Sequence, residues 1–130
     1  MKNNRLSDEQ KAVLYDKATE APYSGKYVTA KEDGTYHCVN CDQVLFSTQS
    51  QYESTMAGLQ GWPSFGDLAA SNAVGFVDDT SHGMQRTEVV CSKCNGHLGH
   101  LFDDPTSPTG KHYCINSCVL NLKVNGPTKT

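Results

Sequence analysis

Six cysteines and five histidines are the residues of this 130-residue chain best suited to chemistry, and their spacing sorts them into groups. Cys38-Val-Asn-Cys41 and Cys91-Ser-Lys-Cys94 are two C-x-x-C pairs, an arrangement in which each knuckle offers two thiolates to one tetrahedral ion. Four thiolates close the coordination shell and leave no position for water or substrate. They predict a structural Zn2+ that adds folding free energy and takes no part in a reaction. Cys41 and Cys91 are separated by far more than the roughly 15 to 20 residues of many zinc motifs, so the ion would tie together distant hairpins. The same thiols have other uses. A redox-active C-x-x-C, as in a thiol peroxidase or disulfide reductase, is expected beside a βαβ pattern that this chain lacks, and an iron–sulfur cluster accepts the same four ligands.

Cys114 and Cys118 remain, within His112-Tyr-Cys-Ile-Asn-Ser-Cys-Val-Leu120. A free cysteine is commonly an inert, buried apolar residue. Against that stand the polar neighbours of Cys114 and the histidines of Gly96-His-Leu-Gly-His100, because a thiol near histidine and hydrogen-bond donors is a nucleophilic constellation. Surface positions at strand ends, or a second metal site, are the other readings of those histidines. The only Trp lies in Gly61-Trp-Pro-Ser-Phe65, where it either packs inward or walls a pocket. A zinc-ribbon-like binding module with Cys114 in its core is thus the alternative to an enzyme.

The elements that must position these groups are mostly strands. Ser7-Asp-Glu-Gln10 places a capping residue three before Gln, ahead of Ala12, Val13, Leu14 and Ala18, which predicts a short helix to about Thr19. Pro22 and Gly25 close it. Beyond lie short β-branched and aromatic runs between Gly, Asp, Asn and Ser, with strands expected near 26–28, 35–37, 74–78, 85–90, 98–102, 112–116 and 119–123. The segment 48–58 reads as a second short helix or a turn. The fold class is therefore mainly β and antiparallel with peripheral helices, and residues 1–130 suit a single domain. Eleven Gly and five Pro make it loop-rich, a composition that benefits from a metal staple.

Composition also excludes partners. A net charge of −3 without a basic run gives no footprint for nucleic acid or an anionic bilayer. No stretch reaches the roughly 20 apolar residues of a membrane span, and Met1 to Gln10 lacks the apolar core of a secretory signal. The expectation is a cytoplasmic monomer, in a reducing compartment where cysteines serve as ligands or catalytic groups.

In order along the chain, Gly61-Trp-Pro-Ser-Phe65, Arg86-Thr-Glu-Val89, Cys91-x-x-Cys94, His97-Leu-Gly-His-Leu-Phe102 and Tyr113-Cys-Ile-Asn-Ser117 resemble the methionine-R-sulfoxide reductases of the B class. The resemblance runs from Leu6 to Lys123. It implies two antiparallel sheets with short flanking helices, and Cys38, Cys41, Cys91 and Cys94 as the zinc set. It implies Cys114 as the nucleophile, with His97, His100, Asp104 and Asn116 around it. Trp62 would shelter the substrate's S-methyl group, with Phe102 and His112 also on the substrate. The implied reaction is reduction of protein-bound methionine (R)-sulfoxide, leaving Cys114 as a sulfenic acid for thioredoxin or a small thiol to regenerate. Such chemistry needs an acid, because oxide cannot leave sulfur unprotonated. His100, supported by His97 and by Asp104 through water, is the candidate, and protonated histidine or local amides would lower the proton affinity of the thiol. An indole wall that accepts only the methyl group would make the reaction stereospecific.

Two positions depart from the family. Gln60 stands where many relatives carry a resolving Cys, which leaves Cys118 as the remaining thiol for that step. Residues four apart in one strand lie roughly 13 Å apart, too far for a disulfide without a bend. His112 stands where the family commonly has Arg, so a group able to lose its proton near neutrality replaces a permanent charge. Activity is then expected to fall above neutral pH more steeply than in His112→Arg.

Overall fold

Ser7 starts the helix as its sequence foretells: its Oγ accepts from the Gln10 amide at 3.1 Å, and Gln10 Oε1 accepts from the Ser7 amide at 2.7 Å, a reciprocal capping box. The computed structural model describes residues 6–28, 32–55, 59–80, 83 and 85–124. Helix α1 (Asp8–Asp16) buries Val13 and Leu14. It stops before Thr19 because Lys17 turns into the left-handed region at φ 59°.

Two antiparallel sheets follow. The smaller is built from β1 (Gly34–Cys38), β2 (Val44–Ser47) and, from far along the chain, β9 (Leu120–Val124), in the order β2-β1-β9. The larger contains β3 (Gln51–Tyr52), β4 (Ser64–Phe65), β5 (Val74–Asp79), β6 (Arg86–Cys91), β7 (His97–Asp103) and β8 (Lys111–Ile115), in the order β3-β4-β8-β7-β6-β5. Aromatic rings fill the space between them. Phe46 of the small sheet stacks on Phe65 of the large one with ring centres 4.3 Å apart, and Tyr36 meets Phe65 edge-on at 5.3 Å. All three are fully buried, and burial of a side chain of this size stabilises by about 1.5–3 kcal/mol.

The mainly β, two-sheet reading holds, while several elements differ from the sequence expectation. Residues 26–28 form a turn instead of a strand, because side chains satisfy the backbone there. The Tyr27 amide donates to Ser117 Oγ, and its carbonyl accepts from Gln51 Nε2. The segment from 48 becomes a 3-10 turn (Thr48–Ser50) followed by β3, and residues 56–58 lie outside the described residues. Strands β2, β3 and β4 were not foreseen. Two to four residues are too few for an alternating pattern to register.

Candidate active site and cysteine cluster

The two C-x-x-C pairs occupy equivalent turns, one between β1 and β2 and the other between β6 and β7. Each turn is closed by a residue at positive φ, Asp42 at 69° and Asn95 at 62°, residue types that tolerate this region. Their amides donate to the Cys38 and Cys91 carbonyls, both at 2.8 Å. The turns face one another, and all four sulfurs lie within 4.8 Å of each other. The short contacts cross between pairs, Cys38 to Cys94 at 3.8 Å and Cys41 to Cys91 at 3.4 Å. The contact with Cys38 holds the Cys91 thiol down at about 5, while the same contact and burial push Cys38 far up. Burial also raises Cys41 to about 11. Four sulfurs so close cannot all ionise without a cation, and a cation is what the turns can hold.

The second constellation is centred on β8. Cys114 lies opposite Ser64 of β4 on one side and His100 of β7 on the other, in the lining of an open cleft. Trp62, His100, Phe102 and Asn116 line that cleft with it. Close approach of β7 depends on Gly99, because a Cβ there would lie 2.0 Å from the Cys114 carbonyl oxygen. The Trp62 indole is fixed by Nε1 donating to the Glu20 carbonyl at 3.0 Å. His100 Nε2 meets Asp79 Oδ2 at 2.7 Å, and Arg86 Nη2 reaches the same oxygen at 3.2 Å. Burial, then the Glu20 carboxylate, pushes the Cys114 thiol up to about 12. This reverses the expectation of a lowered proton affinity: no stabilising charge outweighs desolvation, and the free cleft holds a thiol.

Comparison with known proteins shows the family. The SelR domain family matches residues 6–124. Peptide methionine sulfoxide reductase MsrB of Methanosarcina barkeri is 51% identical over 118 residues, covering 91% of this chain and 80% of that protein. The MsrB of a Pseudomonas fluorescens strain is 50% identical over 117 residues, covering 90% and 87%. The chain belongs to the MsrB family.

Within this MsrB-family fold the remaining site candidates fall into three places. His97 is buried behind His100, their rings in edge contact at 5.4 Å. Its Nδ1 meets Glu88 Oε2 at 2.8 Å, and Lys17 Nζ meets Glu88 Oε1 at 3.0 Å. Burial pushes His97 down against the pull of Glu88. For Glu88 burial acts upward, but Lys17 and His97 outweigh it and hold the carboxyl low.

Asp104 and His112 form a second buried group on the face of β8 that carries Cys114, with Phe102 between His112 and His100. His112 is fully buried; its Nε2 contacts Ser64 Oγ at 2.8 Å and its Nδ1 lies 3.3 Å from Asp104 Oδ2. That second contact is electrostatic, as its geometry falls short of a hydrogen bond. The Thr106 hydroxyl, with further donation from the Thr106 amide and Tyr52, lowers Asp104 to about 2 against burial. Burial likewise pushes His112 below its ordinary value, against Asp104.

Cys118 occupies the third place, a groove it shares with Glu9, Gln10 and Glu20 and not with the cleft. It sits in a 3-10 turn (Ser117–Val119). Burial, then Glu20 and Glu9, raises its thiol to about 12.

Sequence reasoning missed Glu20, Asp79 and the roles of Arg86 and Glu88. Arg86 and Glu88 stand two apart in the Arg86-Thr-Glu-Val89 motif, which puts both on one face of a strand. That was a usable signal. Glu20 and Asp79 carry no local pattern that separates them from surface acids.

Proposed function

We propose that this chain, a methionine sulfoxide reductase by family, acts on methionine (R)-sulfoxide in proteins and peptides with Cys114 as nucleophile. The observation that carries the reading is Cys114 in the lining of a cleft, with an indole and a histidine opposite it in the ladder. Cys114 Sγ attacks the sulfoxide sulfur. The oxygen is protonated and leaves as water, and a water oxygen then adds to Sγ as methionine departs. The net result moves one oxygen from substrate to enzyme: the substrate sulfur gains two electrons, and Cys114 becomes a sulfenic acid. Because the resting residue is a thiol, it brings a proton with it, and His100 is the group across the ladder suited to pass that proton to oxygen. Trp62 and Phe102 take the methyl group. Asn116 holds its side of the cleft, its Nδ2 donating to the Leu98 carbonyl at 2.9 Å and its Oδ1 accepting from the Glu20 amide at 3.0 Å. His97, Asp104 and His112 act from beside the cleft, through the groups they touch.

Two molecules of an external thiol, or one reduced thioredoxin, return the sulfenic acid to thiol with loss of water. Gln60 in place of a resolving cysteine, and Cys118 in its separate groove, support direct regeneration. Zinc is the ion we assign to the cysteine cluster. Thiolates about 2.3 Å from a tetrahedral zinc lie about 3.8 Å apart, and the observed cross contacts of 3.8 and 3.4 Å suit it. When bound, the ion supplies folding free energy alone. Among the described residues no helix is long and apolar enough to cross a membrane, and we read the chain as a one-domain monomer of a reducing compartment such as the cytoplasm.

The test is turnover of separated R and S epimers of an N-capped methionine sulfoxide with dithiothreitol. The expected outcome is R-only activity, abolished in Cys114→Ser with zinc and fold retained. Equal reduction of both epimers would remove the stereochemical assignment, and an active Cys114→Ser would remove the nucleophile.

A further inference from the structure

Two carboxylates hold the histidines of His97-Leu-Gly-His100, and they hold them by opposite nitrogens. Glu88 Oε2 meets His97 Nδ1 at 2.8 Å, with Lys17 Nζ on the other oxygen at 3.0 Å. Asp79 Oδ2 meets His100 Nε2 at 2.7 Å, with Arg86 Nη2 on the same oxygen at 3.2 Å. A guanidinium is a donor only and stays charged, so the oxygen it meets is an acceptor. The hydrogen between Asp79 and His100 therefore belongs to the imidazole, on Nε2. In a neutral imidazole so bonded the lone pair is on Nδ1, the nitrogen that Asp79 leaves unused in a ring that lines the cleft.

Strand order brings Asp79 to this position. It ends β5 opposite Arg86, which starts β6; Glu88, two residues on, lies opposite His100 of β7, and His100 lies opposite Cys114 of β8. Four neighbouring strands thus put a carboxylate, a guanidinium, an imidazole and a thiol on one sheet face. Residues directly opposite one another have Cβ atoms about 4.5–5.5 Å apart, which leaves the His100 ring within reach of the Cys114 sulfur. The other groups on that face are engaged elsewhere. His97 meets His100 ring to ring and gives Nδ1 to Glu88. His112 is separated from His100 by Phe102 and contacts Ser64, while Asp104 takes Tyr52 and Thr106.

We infer that Asp79 is a positioning residue for the reaction: with Arg86 it fixes the His100 ring with its hydrogen on Nε2, so that Nδ1 takes the thiol proton of Cys114 and passes it to the sulfoxide oxygen. The relay moves that one proton and ends as it began, and the imidazolium formed on the way is paired with the Asp79 carboxylate. The inference rests on His100 as the proton carrier of the proposed reaction. The tautomer is read without turnover, so the failure of either idea is seen separately.

The experiment labels histidine with NMR-active heavy nitrogen in zinc-loaded protein and reads which ring nitrogen of His100 carries hydrogen, at about pH 9, where free imidazole is neutral. Loss of signals in His100→Ala assigns them. Hydrogen on Nε2 is expected in the wild type, and a mixture of both tautomers in Asp79→Ala. Hydrogen on Nδ1 in the wild type, or an Nε2–H form untouched by Asp79→Ala, would overturn the inference. Kinetics then separate positioning from mere structure. Asp79→Asn keeps the side chain's shape but presents either its oxygen or its amide to Nε2, and is expected to lower kcat about 10- to 100-fold with KM within about twofold. In a His100→Ala background the same change should cost nothing further, since effects relayed through one residue do not add. Losses that add, in variants that keep their zinc and melting, would make the contact structural alone. Absence of wild-type turnover would count against the proposed reaction, and the tautomer would still decide what Asp79 holds.

Discussion

The chain uses cysteine in two regions and asks opposite things of it. At the paired turns, one from each sheet, four sulfurs converge closely enough to hold a single cation between them. In the cleft, one sulfur stands apart from the cluster beside an indole and a histidine, and burial pushes its thiol up. Reactivity therefore follows from the neighbours and not from the residue type.

Removing one sulfur from the cluster should have the largest effect. Structural zinc in small peptides contributes apparent binding free energies of about 10–16 kcal/mol, comparable to the whole net stability of a domain, about 5–15 kcal/mol. Cys41→Ser, or chelation of the wild type, should abolish cooperative unfolding followed by circular dichroism. A metal-free protein with native stability would erase the contrast between the two regions. In the cleft, His100→Ala should leave zinc content and melting nearly unchanged while lowering turnover by roughly 10²- to 10⁴-fold. A loss below tenfold would mean the proton reaches oxygen from elsewhere.

Acid should separate the buried groups beside the cleft. His97 and His112 are held below their ordinary values, so the unfolded chain binds protons more readily and their contribution fades as pH falls below about 6.5. Asp104 is lowered from 3.8 to about 2, so its contribution is full above about 4 and is lost as pH falls from there toward 2. Urea midpoints measured from pH 7 to 3 should decline over both ranges, and Asp104→Asn should flatten the lower one. The smallest effect belongs to Cys118→Ser, for which dithiothreitol-supported turnover should stay within about twofold of wild type, as Cys118 lies in a groove separate from the cleft. A large fall would give Cys118 the resolving step.

What could be read in advance follows the same division. The cysteine pairs were legible because ligands at fixed spacing leave a mark in the sequence itself, and the helix start was legible because Ser7 and Gln10 satisfy each other locally. The nucleophile proposed here rests on the family's motifs, since Cys114 and Cys118 look alike in sequence. Separation came from the bend after Ile115, which sends one thiol into the cleft and the other into a different groove. Glu20 and Asp79 were illegible for a related reason. Their partners are Trp62, Asn116, Arg86 and His100, contacts made only once the loop after α1 and the far strands have come together.

The pairing of β1 with β9, Gly34 against Val124 and Cys38 against Leu120, has a consequence for synthesis on the ribosome. The central strand of the small sheet emerges early but waits for one of its partners until nearly all the described chain has been made, and contacts so distant in sequence form slowly. All four cysteines of the cluster emerge before that partner does. An ion caught at that stage would hold β1 and β2 beside the β6–β7 hairpin, shortening the search by which the late strand finds its edge and the time that edge is open to aggregation.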